Sequence, residues 1–309
     1  RLMLKLLVKI VLLGLVLNLV GCSAQILYTS TIESQRNDAE LVSRSINLDF
    51  GNISYLENNT KDSVTIVLLH GFGGDKDIWN EFSASLDRSA HIIALDLPGH
   101  GKSVSSTNLD YSISHQAVML EAFLKAKNIE KIHIVGNSMG GAVALKYAAG
   151  YPHRVKSLTL IDALGMIKTK SEYAITFEKT GINSFFDICT RAAYKNYLHM
   201  SMEKEPYIPD MVMDILVADK CARAEIEKVV FKDMLADSEL SAVALDLKVP
   251  TLIIWGAKDR VLHIDNAHLF HKTINGSQLV VFRELGHVPM LEDAEASAGV
   301  FDRFVSHIH

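Results

Sequence analysis

Cysteine is scarce in this 309-residue chain, with three in all, so no disulfide framework builds it. Proline is also sparse, with six, and the 18 glycines are scattered, which excludes a collagen-like or low-complexity protein. Basic clusters are missing: 31 Lys and Arg face 36 Asp and Glu, for a net charge of -5 at pH 7. Binding a nucleic acid requires clustered Lys and Arg to neutralise phosphates, so no nucleic-acid partner is expected. Long apolar runs are missing too, except for one near the start, at residues 10–20. What is present is 49% hydrophobic residues, enough for one large domain or for a core domain carrying an insertion.

Residues 1–21 hold Arg1, Lys5 and Lys9 and no acid, followed by that apolar run. This is the charge order of a secretory signal, and the run is shorter than the roughly 20 residues a spanning helix needs. Counted from Leu2, the same stretch also suits an uncleaved anchor. Much of the positive mean hydropathy, +0.16, comes from this leader. The run ends Leu19, Val20, Gly21, Cys22, which resembles the bacterial lipobox. That resemblance implies a diacylated Cys22 as the mature N-terminus, and Ser23 after it implies the outer membrane in Gram-negative relatives. Acyl chains on Cys22 would supply about 0.8 kcal/mol per buried CH2 and anchor the protein without a membrane helix. A cut nearer Ala24 would instead discard Cys22 with the signal. Residues 22–43 are polar and read as an irregular tether before the fold begins at 44.

From residue 44 onward, short β-rich runs alternate with helical stretches. Residues 44–50 and 52–57 suit a hairpin around Gly51, and 64–69 (VTIVLL) reads as a strand buried on both faces. Further strands are expected at 91–95, 132–135, 158–161, 251–255 and 278–282, with helices at 77–86, 114–127, 139–149 and 264–274 between them. Strands separated by helices imply a parallel sheet with helices on both faces. The rhythm breaks between Ala163 and Leu247, where the chain reads as helical throughout. The expected organisation is a core of 44–163 and 247–309 with a helical cap at 164–246.

Directly after the strand around 132–135 comes Gly136, Asn137, Ser138, Met139, Gly140, Gly141, then a helix. G-x-S-x-G between strand and helix is the nucleophile-elbow pattern: the turn lifts the serine hydroxyl above the sheet, and glycines flank it where side chains would clash. Ser138 also sits at a helix N-terminus, which favours developing negative charge. A serine nucleophile needs an oxyanion site. His70, Gly71, Phe72, Gly73, Gly74 supplies a backbone loop for one, so the N–H groups of Phe72 and Met139 are the expected donors. His70 itself reads as structural. Of thirteen histidines, His287 lies on a loop after the last strand, in Leu285, Gly286, His287, Val288, Pro289. The acid belongs after the preceding strand, where Asp259 stands, with Asp162 as the alternative. The chain order Ser138, Asp259, His287 is that of the Ser-Asp-His triad. His263, His268 and His271 are spaced by five and three, which does not put all three on one face, and no metal site is expected there.

Taken together, HGFGG, DLPGHGKS (residues 96–103), GNSMGG, WGAKD and GHVPM resemble the α/β hydrolases across residues 44–309. With PYIP at 206–209, the chain more narrowly resembles the family V bacterial lipases and their monoacylglycerol-lipase-like relatives. The resemblance implies an eight-stranded, mostly parallel sheet with an inserted cap, and hydrolysis of acylglycerols or similar acyl esters without cofactor or metal. It also implies Ser138 as nucleophile, Asp259 as acid and His287 as base. Carbon–carbon bond hydrolases of ring-cleavage products share GNSMGG and are the alternative; a non-catalytic binding lipoprotein is a third reading, disfavoured because all three triad residues are present. No protein partner is expected.

The cap segment holds Met166, Met200, Met202, Met211, Met213 and Met234 together with Phe177, Phe185, Phe186, Tyr194, Tyr197 and Tyr207. Flexible thioethers and aromatics suit an adaptable acyl site, with most of them expected to form the cap's own core. Cys189 and Cys221 both fall in the cap. The sequence leaves open whether they pair or remain two separate buried thiols.

Overall fold

The computed structural model describes residues 24–60 and 64–308. The signal segment expected at residues 1–21 and the lipidation expected at Cys22 fall outside the described residues.

Eight strands form one sheet: β1 (Val42–Leu48), β2 (Gly51–Glu57), β3 (Thr65–Leu69), β4 (His91–Leu95), β5 (Ile132–Asn137), β6 (Val155–Ile161), β7 (Thr251–Gly256) and β8 (Gln278–Phe282). Their order is β1-β2-β4-β3-β5-β6-β7-β8, and only β2 runs against its neighbours. The tight return between β1 and β2 is possible because Gly51 takes a φ of +134°.

Helices flank both faces. They are α1 (residues 24–38), α2 (Asn80–Ala84), α3 (Ile113–Ala126), α4 (Met139–Gly150), α5 (Glu172–Thr180), α6 (Arg191–Ser201), α7 (Asp210–Ala236), α8 (Ser241–Leu245), α9 (Asp265–Thr273), α10 (Pro289–Glu292) and α11 (Ala294–Val305). Successive strand residues point to opposite faces. In β3, Val67 and Leu69 join a core with residues of α3, α4 and α9, whereas Ile66 and Leu68 join a second core with Phe82, Phe301 and Phe304. In β7, Ile253 and Trp255 face the first core and Leu252 and Ile254 the second. This two-sided burial accounts for the continuous apolar runs in the sequence.

Between β6 and β7 the chain leaves the sheet, forms α5 to α8 and returns, with no strand among the described residues of that excursion. Cys189, just before α6, and Cys221, within α7, are joined by a disulfide, Cα to Cα 4.8 Å, across 32 residues of chain. Of the two alternatives the sequence leaves open, a bridge or two separate thiols, the fold takes the bridge. Closing a loop of that length stabilises a fold by about 3–4 kcal/mol in the chain-entropy account.

Two expectations need correction. The helix expected at 77–86 is a 3-10 turn, Lys76–Trp79, running into the short α2, with the Asp75 side chain accepting the Asp77 N–H at the start. The segment expected to be an irregular tether is helical over 24–38 and docked on the core. Arg36 makes two hydrogen bonds to Asp77, at 2.6 and 2.7 Å, Gln35 donates to Glu81, and Ala39 and Leu41 are buried. These contacts reach some 40 residues along the chain. An exposed helix of this length is marginal by local propensity, so tertiary packing decides it.

Candidate active site

β5 ends at Asn137 and α4 begins at Met139, leaving Ser138 between them at φ +53°, ψ -118°. A non-glycine residue at positive φ costs about 1–3 kcal/mol and persists only where its surroundings enforce it. Here the Ser138 N–H donates to the Ile161 carbonyl, and the Ser138 carbonyl accepts from Ala142 and Leu164. A Cβ on Gly136 would overlap the Gly140 carbonyl, and one on Gly140 would overlap the carbonyls of Leu69 and His70. The elbow glycines expected from the sequence are thus held by backbone packed against backbone. Gly71 faces Asn137 and Ser138, and Gly73 has φ +70°.

In the loop after β7, Asp259 is buried and both of its carboxylate oxygens accept hydrogen bonds. Its Oδ1 accepts the N–H groups of Val261 and Leu262 at 2.7 and 2.9 Å, and its Oδ2 accepts from His287 Nδ1 at 2.8 Å. That bond fixes the imidazole orientation and leaves Nε2 as the nitrogen available to a substrate or nucleophile. The His287 loop is tied down from three sides: its N–H donates to Ser201 of α6, its carbonyl accepts from the Asn137 side chain, and Glu292 accepts the Gly286 N–H. Asn137 also donates to Ile161, so one amide links the elbow, β6 and the His287 loop. The sequence singled out neither Asn137 nor Ser201 for this role; Asn137 within GNSMGG was the available signal.

Asp162, the alternative acid, lies beside this pair but does not bond His287. It follows β6 at φ +43°, completely buried, with the Gly256 N–H donating to its Oδ1 at 3.0 Å. Burial, then the adjacent charge of Asp259 and a hydrogen bond to it, push its ionisation well above the usual carboxylate range. Asp162, Asp259 and His287 could each offer one ligand atom within 4.8 Å of the others. Both Asp259 oxygens already take N–H donors, an arrangement suited to moving protons on His287 rather than to holding an ion. His263 pairs with Asp265 at 3.7 Å and His271 with Ser277 at 3.0 Å.

Phe72 lies in the loop after β3, its ring edge-on to His100, Phe185 and Phe231, and Met139 is the first residue of α4. His70 is pushed down to about 4 by burial, and both of its nitrogens are used: Nδ1–H donates to the Gly71 carbonyl and Nε2 accepts the Leu97 N–H. It braces the loop, as expected.

Ser138 and His287 open onto a cavity of about 470 Å³, within the range of small-molecule sites, with walls largely of aliphatic and aromatic side chains. Of the cap residues singled out in the sequence, Met202, Met234, Phe185, Tyr194 and Tyr197 line it. Met166, Met200 and Met213 are packed into cores, whereas Tyr207 is 90% exposed. Sequence reasoning overlooked the clamp that seats the cap. From α7, Lys220 donates to the Gly73 carbonyl and to buried Glu227, while Arg223 donates to the carbonyls of Gly99 and Gly101. The long helix is thereby fastened to two glycine-containing loops, of which the one holding Gly71 lies against Ser138.

Known proteins share this fold. Residues 64–188 match the family model described as alpha/beta hydrolase fold. Lipase 1 of Psychrobacter immobilis is 32% identical over 94% of this chain and 94% of its own. A monoacylglycerol lipase of Xenopus laevis is 29% identical, covering 80% of this chain and 77% of its own. The crystal structure of a membrane phospholipase A, a bacterial virulence factor, superposes with a TM-score of 0.86 at 32% identity, covering 96% of this chain and 98% of that one. With a lipase matched at that identity over nearly the full length of both chains, and with the sheet, elbow and cap described above, this chain belongs to the lipases of the α/β-hydrolase fold family.

Proposed function

We propose that this protein hydrolyses carboxylic esters of acylglycerols or similar lipids through an acyl-enzyme on Ser138. The observation that carries the reading is the His287–Asp259 hydrogen bond of 2.8 Å at the wall of an apolar cavity that Ser138 also lines. His287 Nε2 takes the Ser138 proton as Oγ attacks the ester carbonyl; the tetrahedral oxyanion is received by the N–H groups of Phe72 and Met139. The imidazolium then returns the proton to the leaving alcohol, and a water activated by His287 releases the acid. Asp259 keeps the imidazole in the tautomer this requires. The relatives' names, lipase, monoacylglycerol lipase and phospholipase A, support glycerol-lipid esters as substrates. A series of nitrophenyl esters of increasing chain length is expected to be turned over, with fluorophosphonate labelling confined to the peptide holding Ser138. Turnover of a vinylogous diketone, with the ester series untouched, would favour the carbon–carbon hydrolase instead.

The enzyme works at a membrane, with lipid on Cys22 as the anchor. Supporting this are the lipobox-like Leu19, Val20, Gly21, Cys22 and the likeness to a membrane phospholipase. None of the described helices is long and apolar enough to cross a membrane. Cys22→Ser is expected to release the protein from washed membranes and abolish palmitate incorporation. Full retention on membranes, with residues 1–21 still attached, would point to an uncleaved anchor and sink the lipoprotein reading.

A further inference from the structure

The role of Asp162 is not explained by a three-residue relay. It is fully buried, its backbone is held at φ +43°, and its Oδ2 accepts no hydrogen bond. The charged and titratable groups facing it are Asp259 and His287, on the loops after β7 and β8, and Glu292 of α10. Two carboxylates this close in a dry site do not both ionise. The donors decide which one keeps the proton: Asp259 receives three N–H groups, from Val261, Leu262 and His287, and Asp162 only one, from Gly256.

The geometry points to Asp162 as a positioning residue that carries a proton on Oδ2 and donates it in a hydrogen bond to Asp259, locking the carboxylate that orients His287. The inference rests on the triad reading given above. No bond to substrate is involved, and Asp162 does not line the cavity. Burial and the charge of Asp259, which raise the ionisation of Asp162, act in the same direction. The neutral acid disperses the charge on Asp259 and limits how strongly that charge favours the imidazolium form of the base. An ionised Asp162 would do the opposite, adding a second negative charge beside the base.

The two cases differ in sign. In Asp162→Ala the donor is lost, so the acid limb of the kcat/KM profile is expected to move to higher pH by about half a unit. Looser orientation of the base is expected to lower kcat about 10-fold with KM nearly unchanged. Asp162→Asn keeps a neutral group able to accept from Gly256 and donate to Asp259, and asparagine tolerates positive φ better than most residues. It is expected to recover most of the lost kcat and return the acid limb to its wild-type place. A difference infrared spectrum of wild type minus Asp162→Asn should contain the carbonyl band of a protonated carboxylic acid. The inference is overturned if Asp162→Asn drops the acid limb by about a unit or more, the mark of a removed negative charge. It is equally overturned if Asp162→Ala leaves kcat and the profile unchanged, or if the infrared band is missing. Asp259→Asn separates the two levels: wild-type turnover in that variant would mean that the triad reading itself is at fault.

Discussion

Ser138→Ala is expected to lower kcat on nitrophenyl esters by about a million-fold, equivalent to roughly 8 kcal/mol of transition-state stabilisation. The size follows from cooperation. Without Oγ, His287 has no serine proton to take and no acyl-enzyme forms, so the oxyanion donors are left with only the direct attack of water on the ester. Residual hydrolysis above the uncatalysed rate, about 10³-fold, is expected from the donors and the cavity acting on water alone. Folding should be nearly unaffected, because the backbone bonds that impose φ +53° on residue 138 do not involve the side chain. The check is a pair of measurements on one preparation: steady-state turnover with fluorophosphonate labelling, and a thermal melt. Activity within ten-fold of wild type would remove Ser138 from the mechanism, whereas a collapsed melting transition would show that the serine is structural.

The second large effect is expected at Gly256, the last residue of β7. A Cβ there would be driven into the carbonyl of Gly286, with Leu285 O only 2.5 Å away. Both obstacles are backbone, so no side-chain rotation relieves them. The same region is laced by main-chain bonds: Ala257 donates to Phe282, Lys258 to Leu285 and Asp259 to Gly256. Gly256→Ala must therefore push the Asp259 loop away from the His287 loop. We expect a loss of about 4 kcal/mol, at the upper end for overpacking, seen as a fall in melting temperature of about 8 °C. Displacing the relay by even about 1 Å should also cut kcat/KM about 100-fold. Gly150→Ala is the control: nothing lies within 4 Å of its Cβ position, and it should be neutral or slightly stabilising. If Gly256→Ala melts with the wild type and turns over normally, the close approach of the two loops has no functional weight.

These two positions differ in how far they were legible. Ser138 is announced by its neighbours, because an apolar strand, G-x-S-x-G and a helix are all local patterns. Gly256 stands in an ordinary strand-end motif, and its importance comes from Gly286, far along the chain. Asp162 shows the same limit. The sequence offers it as a substitute for Asp259, but the structure places both together and gives His287 to Asp259 alone. The cap was legible as a helical excursion rich in methionine and aromatics, whereas its fastening through Lys220 and Arg223 was not, since their acceptors are loop carbonyls more than 120 residues away.

By itself, then, the amino-acid order determined what depends on near neighbours: the alternation of strands and helices, the elbow pattern around Ser138, and the strand-end loops that carry Asp259 and His287. Each follows from hydrophobic periodicity and turn chemistry within some ten residues. Tertiary structure alone decided the pairing of Cys189 with Cys221, the docking of α1 through Arg36 and Asp77, the placing of Asp162 against Asp259, and which cap side chains reach the cavity. All four are contests between groups distant in sequence, settled by distance, burial and the number of donors each finds in the fold.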